Sequence, residues 1–170
     1  MKLVIPDMSC AEKLRRFRQD FLSAGEGTDT CGSLAKYEDI RAWIDEVNLL
    51  LNPETTPEGR TPRKQYVAVR EEDGKIVGYI QIRYALNEYL EKYAGHIGYC
   101  VCPSERRKGY ATRLLQEALP LCRSLGIDPV LVCCDAENEG SVKTILKNGG
   151  TFESTVHDPE TGAGINRYWL

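Results

Sequence analysis

One stretch constrains the fold of this chain more than any other, the segment HIGYCVCPSERRKGYATRLL from His96 to Leu115. Its first part, residues 96–101, is short and apolar to aromatic between a glycine and a proline, which predicts a β-strand. A basic turn that contains Gly109 follows, and an amphipathic helix begins near Tyr110. Backbone N–H groups and the helix dipole both favour negative charge at such a turn. The segment therefore predicts a phosphate-binding loop between a strand and a helix.

Length and charge limit the class of protein. A chain of 170 residues is expected to form one domain, residues 1–170, with a substantial core. The 22 Lys and Arg residues against 25 Asp and Glu residues give a net charge of −3, which argues against general nucleic-acid binding. No apolar run approaches the roughly 20 residues that span a bilayer. We therefore expect a cytoplasmic protein with neither a nucleic-acid nor a membrane partner.

The seven cysteines contain no C-x-x-C pair and no spacing typical of zinc ligands. An odd number of cysteines without an export signal indicates reduced thiols. The favoured interpretation is that they are small buried hydrophobic residues, and a catalytic or metal-binding thiol is the alternative. We expect no metal.

Hydrophobic periodicity predicts the order of the elements. Helices are predicted over residues 11–24, 37–51, 85–93, from 110 onward, and 138–148. Strands are predicted over residues 2–5, 65–70, 76–84, 96–101, 129–134, 151–157 and 165–170. This order is typical of a mixed α/β domain whose most buried strands lie in the middle, with ligands at the carboxyl ends of those strands.

The loop sequence resembles that of the GNAT superfamily of acyl-CoA-dependent N-acyltransferases. The family pattern of Arg or Gln, two residues, Gly, one residue, then Gly or Ala is met by Arg106, Gly109 and Ala111. Two further family patterns are present in the expected order, the hydrophobic-x-Pro of residues 101–103 before the loop and the Asn-x-x-Ser of residues 138–141 after the next strand. The motif HIGYxVxPSERRKGYAT and the C-terminal RYWL are similar to those of a bacterial group of predicted acetyltransferases in this superfamily.

The resemblance implies a fold and a ligand. The fold is a mixed, mostly antiparallel central sheet of about seven strands, splayed between strands 4 and 5 by a bulge and flanked by about four helices. The ligand is acetyl-CoA as co-substrate, with the pyrophosphate in the loop and the pantetheine arm along the strand before it. The implied cofactor-binding residues are Tyr99, Cys100, Val101, Arg106, Arg107, Lys108, Gly109, Tyr110, Ala111, Thr112, Asn138 and Ser141. Lys108 and Arg113 are expected to meet the 3′-phosphate.

The resemblance also implies acetyl transfer to a primary amine of a small molecule, peptide or protein by direct attack. Many family members carry a Tyr general acid seven residues after the Asn, and that position is Ile145 here. The catalytic candidates are therefore His96 as base and Tyr168 as acid. A structural, hydrogen-bonded histidine is the alternative interpretation of His96.

The acceptor site is expected from helices 1 and 2, residues 52–64, 84–93 and 158–164. Acidic residues there would attract a cationic amine or form a solvated surface: Glu26, Asp29, Glu54, Glu58, Glu88 and Glu91. A non-catalytic acyl-CoA-binding or sensor domain is the alternative function, because the usual Tyr is absent. The sequence leaves the acceptor and the oligomeric state open, a homodimer included.

Overall fold

The computed structural model describes residues 1–26 and 33–170. In these residues five α-helices, α1 to α5, span Ala11–Ser23, Ile40–Leu49, Glu88–Tyr93, Tyr110–Ser124 and Glu139–Lys147. Seven strands, β1 to β7, span Lys2–Val4, Arg63–Val69, Ile76–Arg83, Ile97–Val101, Leu131–Asp135, Thr151–His157 and Gly164–Trp169. Asp29 and Cys31 lie outside the described residues.

Capping side chains explain where two helices begin later than the periodicity predicts. The Asp39 carboxylate accepts a hydrogen bond from the Arg41 N–H at 2.9 Å, so α2 begins at Ile40. The Asn87 side chain accepts one from the Leu90 N–H at 2.8 Å, so α3 begins at Glu88.

The strands form two antiparallel sheets. One has the order β1-β2-β3-β4 and the other the order β5-β7-β6. The two sheets meet where β4 and β5 begin, because the His96 N–H donates to the Leu131 carbonyl at 2.8 Å and Gly95 bridges to Val132. No ladder joins the remainder of β4 to β5 among the described residues. The mixed α/β fold with a sheet splayed between strands 4 and 5 is confirmed.

The expected bulge in β4 is wrong. β4 pairs with β3 in unbroken register from Ile97 to Val101. The separation from β5 instead begins after His96, whose N–H still donates to Leu131. At this junction Gly95 has a φ of 69° and leaves no room for a Cβ, since that atom would lie 2.5 Å from the Leu131 carbonyl oxygen.

Hydrophobic cores cover both faces of the four-stranded sheet. One core joins α1 and α2 to β2 and β3 around Phe17, Trp43 and Tyr79. The other joins α4 and α5 to β3, β4 and β5 around Leu114 and Ile145. Because successive strand residues face opposite sides, Tyr99 points to the α4–α5 face, whereas Gly98 and Cys100 lie on the α1–α2 face.

Six cysteines are described and all are free, buried or half-buried thiols. Within the described residues no group of three His, Cys, Asp or Glu side chains is placed to hold a metal ion, and no helix is long and apolar enough to cross a bilayer.

Candidate functional site

The loop between β4 and α4 presents free backbone donors. Arg107 and Gly109 both adopt left-handed φ values, 62° and 85°. In the described part of the chain, the N–H groups of residues 107–109 donate to no acceptor. Gly109 is also the N-cap of α4, so the first turn of a fifteen-residue helix adds its unpaired N–H groups. Successive N–H groups around left-handed residues form a concave anion site.

The buried carboxylate of Glu105 anchors this loop to the rest of the protein. Glu105 is 5% exposed and accepts from Arg70 at 2.8 Å, Lys75 at 3.0 Å and Lys108 at 2.9 Å. These bonds, the one from Lys108 foremost, lower the pKa of Glu105 to about 2. The loop conformation is therefore fixed by ion pairs before any ligand binds.

A cavity of about 710 Å³ opens above the loop, between β4 and α5. Nearly all of the predicted cofactor-binding residues line it: Tyr99, Cys100, Val101, Arg106, Arg107, Gly109, Tyr110, Ala111, Thr112, Asn138 and Ser141. The structure thus brings strand, loop and helix together as the sequence predicts.

Two basic residues of the loop are used within the protein. The Lys108 ammonium is bound to Glu105, and Lys108 is not among the cavity-lining residues. The Arg106 guanidinium makes a bidentate pair with Glu26, with contacts of 2.6 and 2.5 Å, and lies 6.0 Å from the centre of the Phe21 ring. Hydrogen bonds from Arg106 lower the pKa of Glu26. Glu26, expected as an acceptor residue, therefore joins the end of α1 to the loop.

The sequence analysis missed the cations that face the cavity from α5. Lys143 and Lys147 both line it, whereas Arg113 pairs with Glu117 on α4 at 2.8 Å. Lys143 also pairs with Glu139, but Arg107 and Lys147 have no carboxylate partner among the described residues. The helical spacing of four residues from Lys143 to Lys147 was the available signal.

Asn138 uses only part of its amide. The side-chain oxygen caps α5 by accepting from the Ser141 N–H at 3.0 Å. The amide NH₂ group makes no hydrogen bond within the described residues, and Asn138 is one of the residues that line the cavity. Asn138 can therefore cap the helix and donate to a ligand at once.

His96 joins the two sheets. Its Nδ1 accepts from the Leu131 N–H at 3.0 Å, and burial lowers its pKa. The neutral ring that accepts at Nδ1 holds its proton on Nε2, so no lone pair remains to take a proton from an amine. This geometry favours the structural interpretation of His96 over the role of base.

Tyr168 is not brought into the cavity. It is 3% exposed on β7, packs against the Phe152 ring and belongs to the core on the α4–α5 face. Ile145 is also fully buried in that core. A different tyrosine, Tyr99, is among the residues that line the cavity; its hydroxyl oxygen is buried and has no partner of good hydrogen-bond geometry among the described residues. Burial raises the pKa of Tyr99 to about 12.

The model of the Acetyltransferase (GNAT) family matches residues 31–149 of the chain. The chain belongs to the GNAT acetyltransferase family. The resemblance on which the sequence analysis rested is confirmed at the level of the superfamily.

Solved GNAT structures share the fold. The microcin C7 self-immunity acetyltransferase MccE, solved with acetyl-CoA and AMP, has a TM-score of 0.71 at 18% identity over 99% of this chain and 90% of its own. The ribosomal-protein-S5-alanine acetyltransferase of Vibrio fischeri has a TM-score of 0.70 at 15% identity, covering 99% and 91%. Spermidine N-acetyltransferase SpeG of Vibrio cholerae has a TM-score of 0.62 at 15% identity, covering 100% and 94%. No curated protein sequence matches the chain.

GNAT acetyltransferases use acetyl-CoA as co-substrate, and the residues present fit that ligand. The free N–H groups of residues 107–109 suit a pyrophosphate, and a Cβ at Gly109 would have no atom within 4 Å, so the backbone is open to close approach. Family membership and fold together support acetyl transfer as the activity of this GNAT protein.

Proposed function

We propose that this GNAT protein, as one domain over residues 1–170, transfers the acetyl group of acetyl-CoA to a primary amine of a small molecule, peptide or protein. The amine nitrogen attacks the thioester carbonyl directly, so the C–N bond forms as the C–S bond breaks. The amine gives up one proton to water, and the thiolate takes up one proton. No covalent acyl-enzyme is required.

One observation carries the proposal. The free N–H groups of residues 107–109 form an anion site, termed the cradle, at one end of the cavity, and further hydrogen-bonding groups line the cavity. The N–H groups of residues 107–109 would hold the pyrophosphate, and the β4 edge at residues 99–101 with the Asn138 amide would hold the pantetheine arm. Arg107 and Lys147 are the available cations for the 3′-phosphate, since Lys108 is paired with Glu105.

We infer that Tyr99 is the proton donor of the reaction. Its buried hydroxyl lies among the lining residues beside Ser141 and Thr144 of α5. A pKa raised to about 12 keeps the phenol protonated at neutral pH, as a general acid requires. We therefore assign to Tyr99 the role that the Ile145 side chain cannot perform.

Steady-state release of free thiol from acetyl-CoA, measured with a panel of amines, tests the proposal. We expect release that depends on both the amine and its concentration. Gln116→Ala, at an exposed residue of α4, is a control variant that should leave the rate of thiol release unchanged. Binding of acetyl-CoA without thiol release for any amine would favour the alternative, a non-catalytic acyl-CoA-binding domain.

A further inference from the structure

Two arginines lie side by side on the α1–α2 face of the sheet. Arg63 on β2 and Arg83 on β3 are directly opposed in the antiparallel register. Directly opposed residues share a face with their Cβ atoms about 5 Å apart, and like charges in this arrangement destabilise a sheet. The fold therefore keeps two cations together at a cost.

The Arg83 guanidinium lacks a counterion. It is mostly buried and donates from Nη1 to the Gly95 carbonyl at 2.9 Å. Across residues 1–26 and 33–170 no carboxylate lies within 4.0 Å of it, and its Nε and Nη2 groups have no acceptor. Burial and the neighbouring Arg63 lower the pKa of Arg83 to about 10, which still leaves it charged at neutral pH.

Arg63 is compensated only in part. Its Nη2 lies 3.8 Å from Glu46 Oε1, an oxygen that already accepts from Arg60 at 2.8 Å. The Arg63 Nε is buried without a hydrogen-bond partner among the described residues. The Arg83 nitrogens that have no acceptor among the described residues are not among the buried unpaired atoms, so they are accessible to a ligand, and the two neighbouring positive charges favour an anion there.

The pair lies beside the closed end of the cleft. The Arg83 N–H donates to the His96 carbonyl at 2.8 Å, and its side chain reaches the Gly95 carbonyl, where β4 and β5 meet. A Cβ at Gly98 would lie 3.6 Å from Arg83 Nη2, an ordinary contact distance, so the guanidinium lies beside β4 at Gly98. Tyr99, next in the strand, points to the other face. An anion on Arg83 would thus sit across β4 from the Tyr99 hydroxyl.

We propose that the amine acceptor carries an anionic group, a carboxylate or a phosphate, which binds Arg83 with Arg63 beside it. This inference rests on the proposed acetyl transfer and deepens it, since it names the class of acceptor. It also reverses the expectation that acidic residues attract a purely cationic amine.

Matched amines that differ only in the anionic group test the proposal. We would compare glycylglycine with glycylglycinamide, and phosphoethanolamine with ethanolamine, by the ratio of their kcat/KM values. The wild-type ratio should favour the anionic member by about tenfold or more, the effect of one charge-assisted hydrogen bond. The two pairs distinguish carboxylate from phosphate. Arg83→Gln should bring the ratio close to one, and Arg83→Lys should give an intermediate value. Arg41→Gln, at an exposed arginine of α2 that takes no part in the arginine pair or its contact with Glu46, should leave the ratio unchanged.

A wild-type ratio of one or below overturns the proposal, whether or not the variants fold. If no amine is acetylated, the proposed function fails, and a second measurement decides the anion site. Thermal unfolding with added inorganic phosphate or acetate should then show stabilisation of the wild type that Arg83→Gln and Arg83→Lys reduce. Equal stabilisation of all three proteins, or none, overturns the site as well.

Discussion

The proposed proton transfer to the coenzyme A thiolate depends on one residue, Tyr99 of β4. The family resemblance implies only a backbone contact with the ligand for Tyr99. At the position where many family members carry the tyrosine general acid, this chain has Ile145. Tyr99 is one of the residues that line the cavity, with its hydroxyl buried, whereas Ile145 lies in the hydrophobic core and does not line it. A strand residue and a helix residue can reach one point in space, and sequence spacing along one element does not reveal this.

Tyr99→Phe should lower kcat by about tenfold to a hundredfold, at the low end for a general acid because the coenzyme A thiolate leaves readily. Affinity for acetyl-CoA, measured by calorimetry, should change little. The pH profile adds a second check. A pKa raised to about 12 keeps the acid protonated, so the wild type should show no alkaline loss of kcat near pH 10 from this residue. Unchanged kcat in Tyr99→Phe would remove Tyr99 from the reaction.

His96 should make folding stability dependent on pH. Burial lowers its native pKa below the ordinary 6.5, so the unfolded state binds more protons between the two values. The free energy of unfolding should therefore be highest above pH 6.5 and fall as the pH decreases through that window, since protonation of Nδ1 breaks its bond to the Leu131 N–H. Denaturant unfolding of His96→Gln should show a shallower fall. His157→Gln, at an exposed histidine, serves as the control. If the free energy of unfolding falls as steeply in His96→Gln as in His157→Gln, the structural role of His96 is contradicted.

A Lys147 variant tests the proposed contact with the 3′-phosphate separately from the contacts with the rest of coenzyme A. Lys147→Gln should weaken coenzyme A binding by about tenfold and leave 3′-dephospho-coenzyme A unaffected, because the lost contact is one charge pair. Arg113→Gln, whose arginine pairs with Glu117, should affect neither ligand. Equal effects of both variants would place the phosphate elsewhere.

At the scale of elements, the loop from Glu105 to Gly109 and the first turn of α4 act as a unit. The sequence predicted the strand, the turn and the helix, because periodicity and the glycine are local signals. The sequence does not predict that Lys108 and Arg106 are paired with carboxylates of the protein. The partners of Lys108 and Arg106 are Glu105 and Glu26, and the second of these pairings depends on how α1 packs against the loop. Pairings across the fold have no signature in the local sequence.

Gly109→Ala tests the cradle at this scale. The φ of 85° should make the variant less stable by about 1–2 kcal/mol. Its Cβ would point into the open space of the cavity and reduce acetyl-CoA affinity by about tenfold or more in calorimetry. Gly126→Ala is a matched control near the other end of α4, with a φ of 76° and equally open surroundings. It should lose similar stability and keep full affinity, and a similar loss of affinity in both variants would count against the cradle.

At the scale of the whole molecule, function depends on the separation of the two sheets. Hydrogen bonds at His96 and Leu131 join the sheets at one end, and the cavity lies where β4 has no strand paired to its β5 side in the part of the chain that the structure describes. The order of helices and strands in the sequence predicts this architecture, because that order matches the family pattern along the whole chain. The expected bulge was wrong, and the arginine pair of β2 and β3 went unnoticed, because cross-strand register is decided only when the sheet assembles.

In the proposed reaction the two faces of the sheet take different ligands. Loop 105–109, α5 and Tyr99 would bind the acetyl donor, and Arg63 and Arg83, across β4, would bind the anionic group of the acceptor. Direct transfer requires the two substrates to meet in the cleft, where proximity supplies much of the rate.

A crystal structure of the protein with acetyl-CoA tests the central claim most directly. We predict the pyrophosphate on the N–H groups of residues 107–109, the pantetheine arm between β4 and Asn138, and the thioester sulfur within about 3.5 Å of the Tyr99 hydroxyl. Acetyl-CoA bound outside the cleft, or with its thioester remote from Tyr99, would contradict the account.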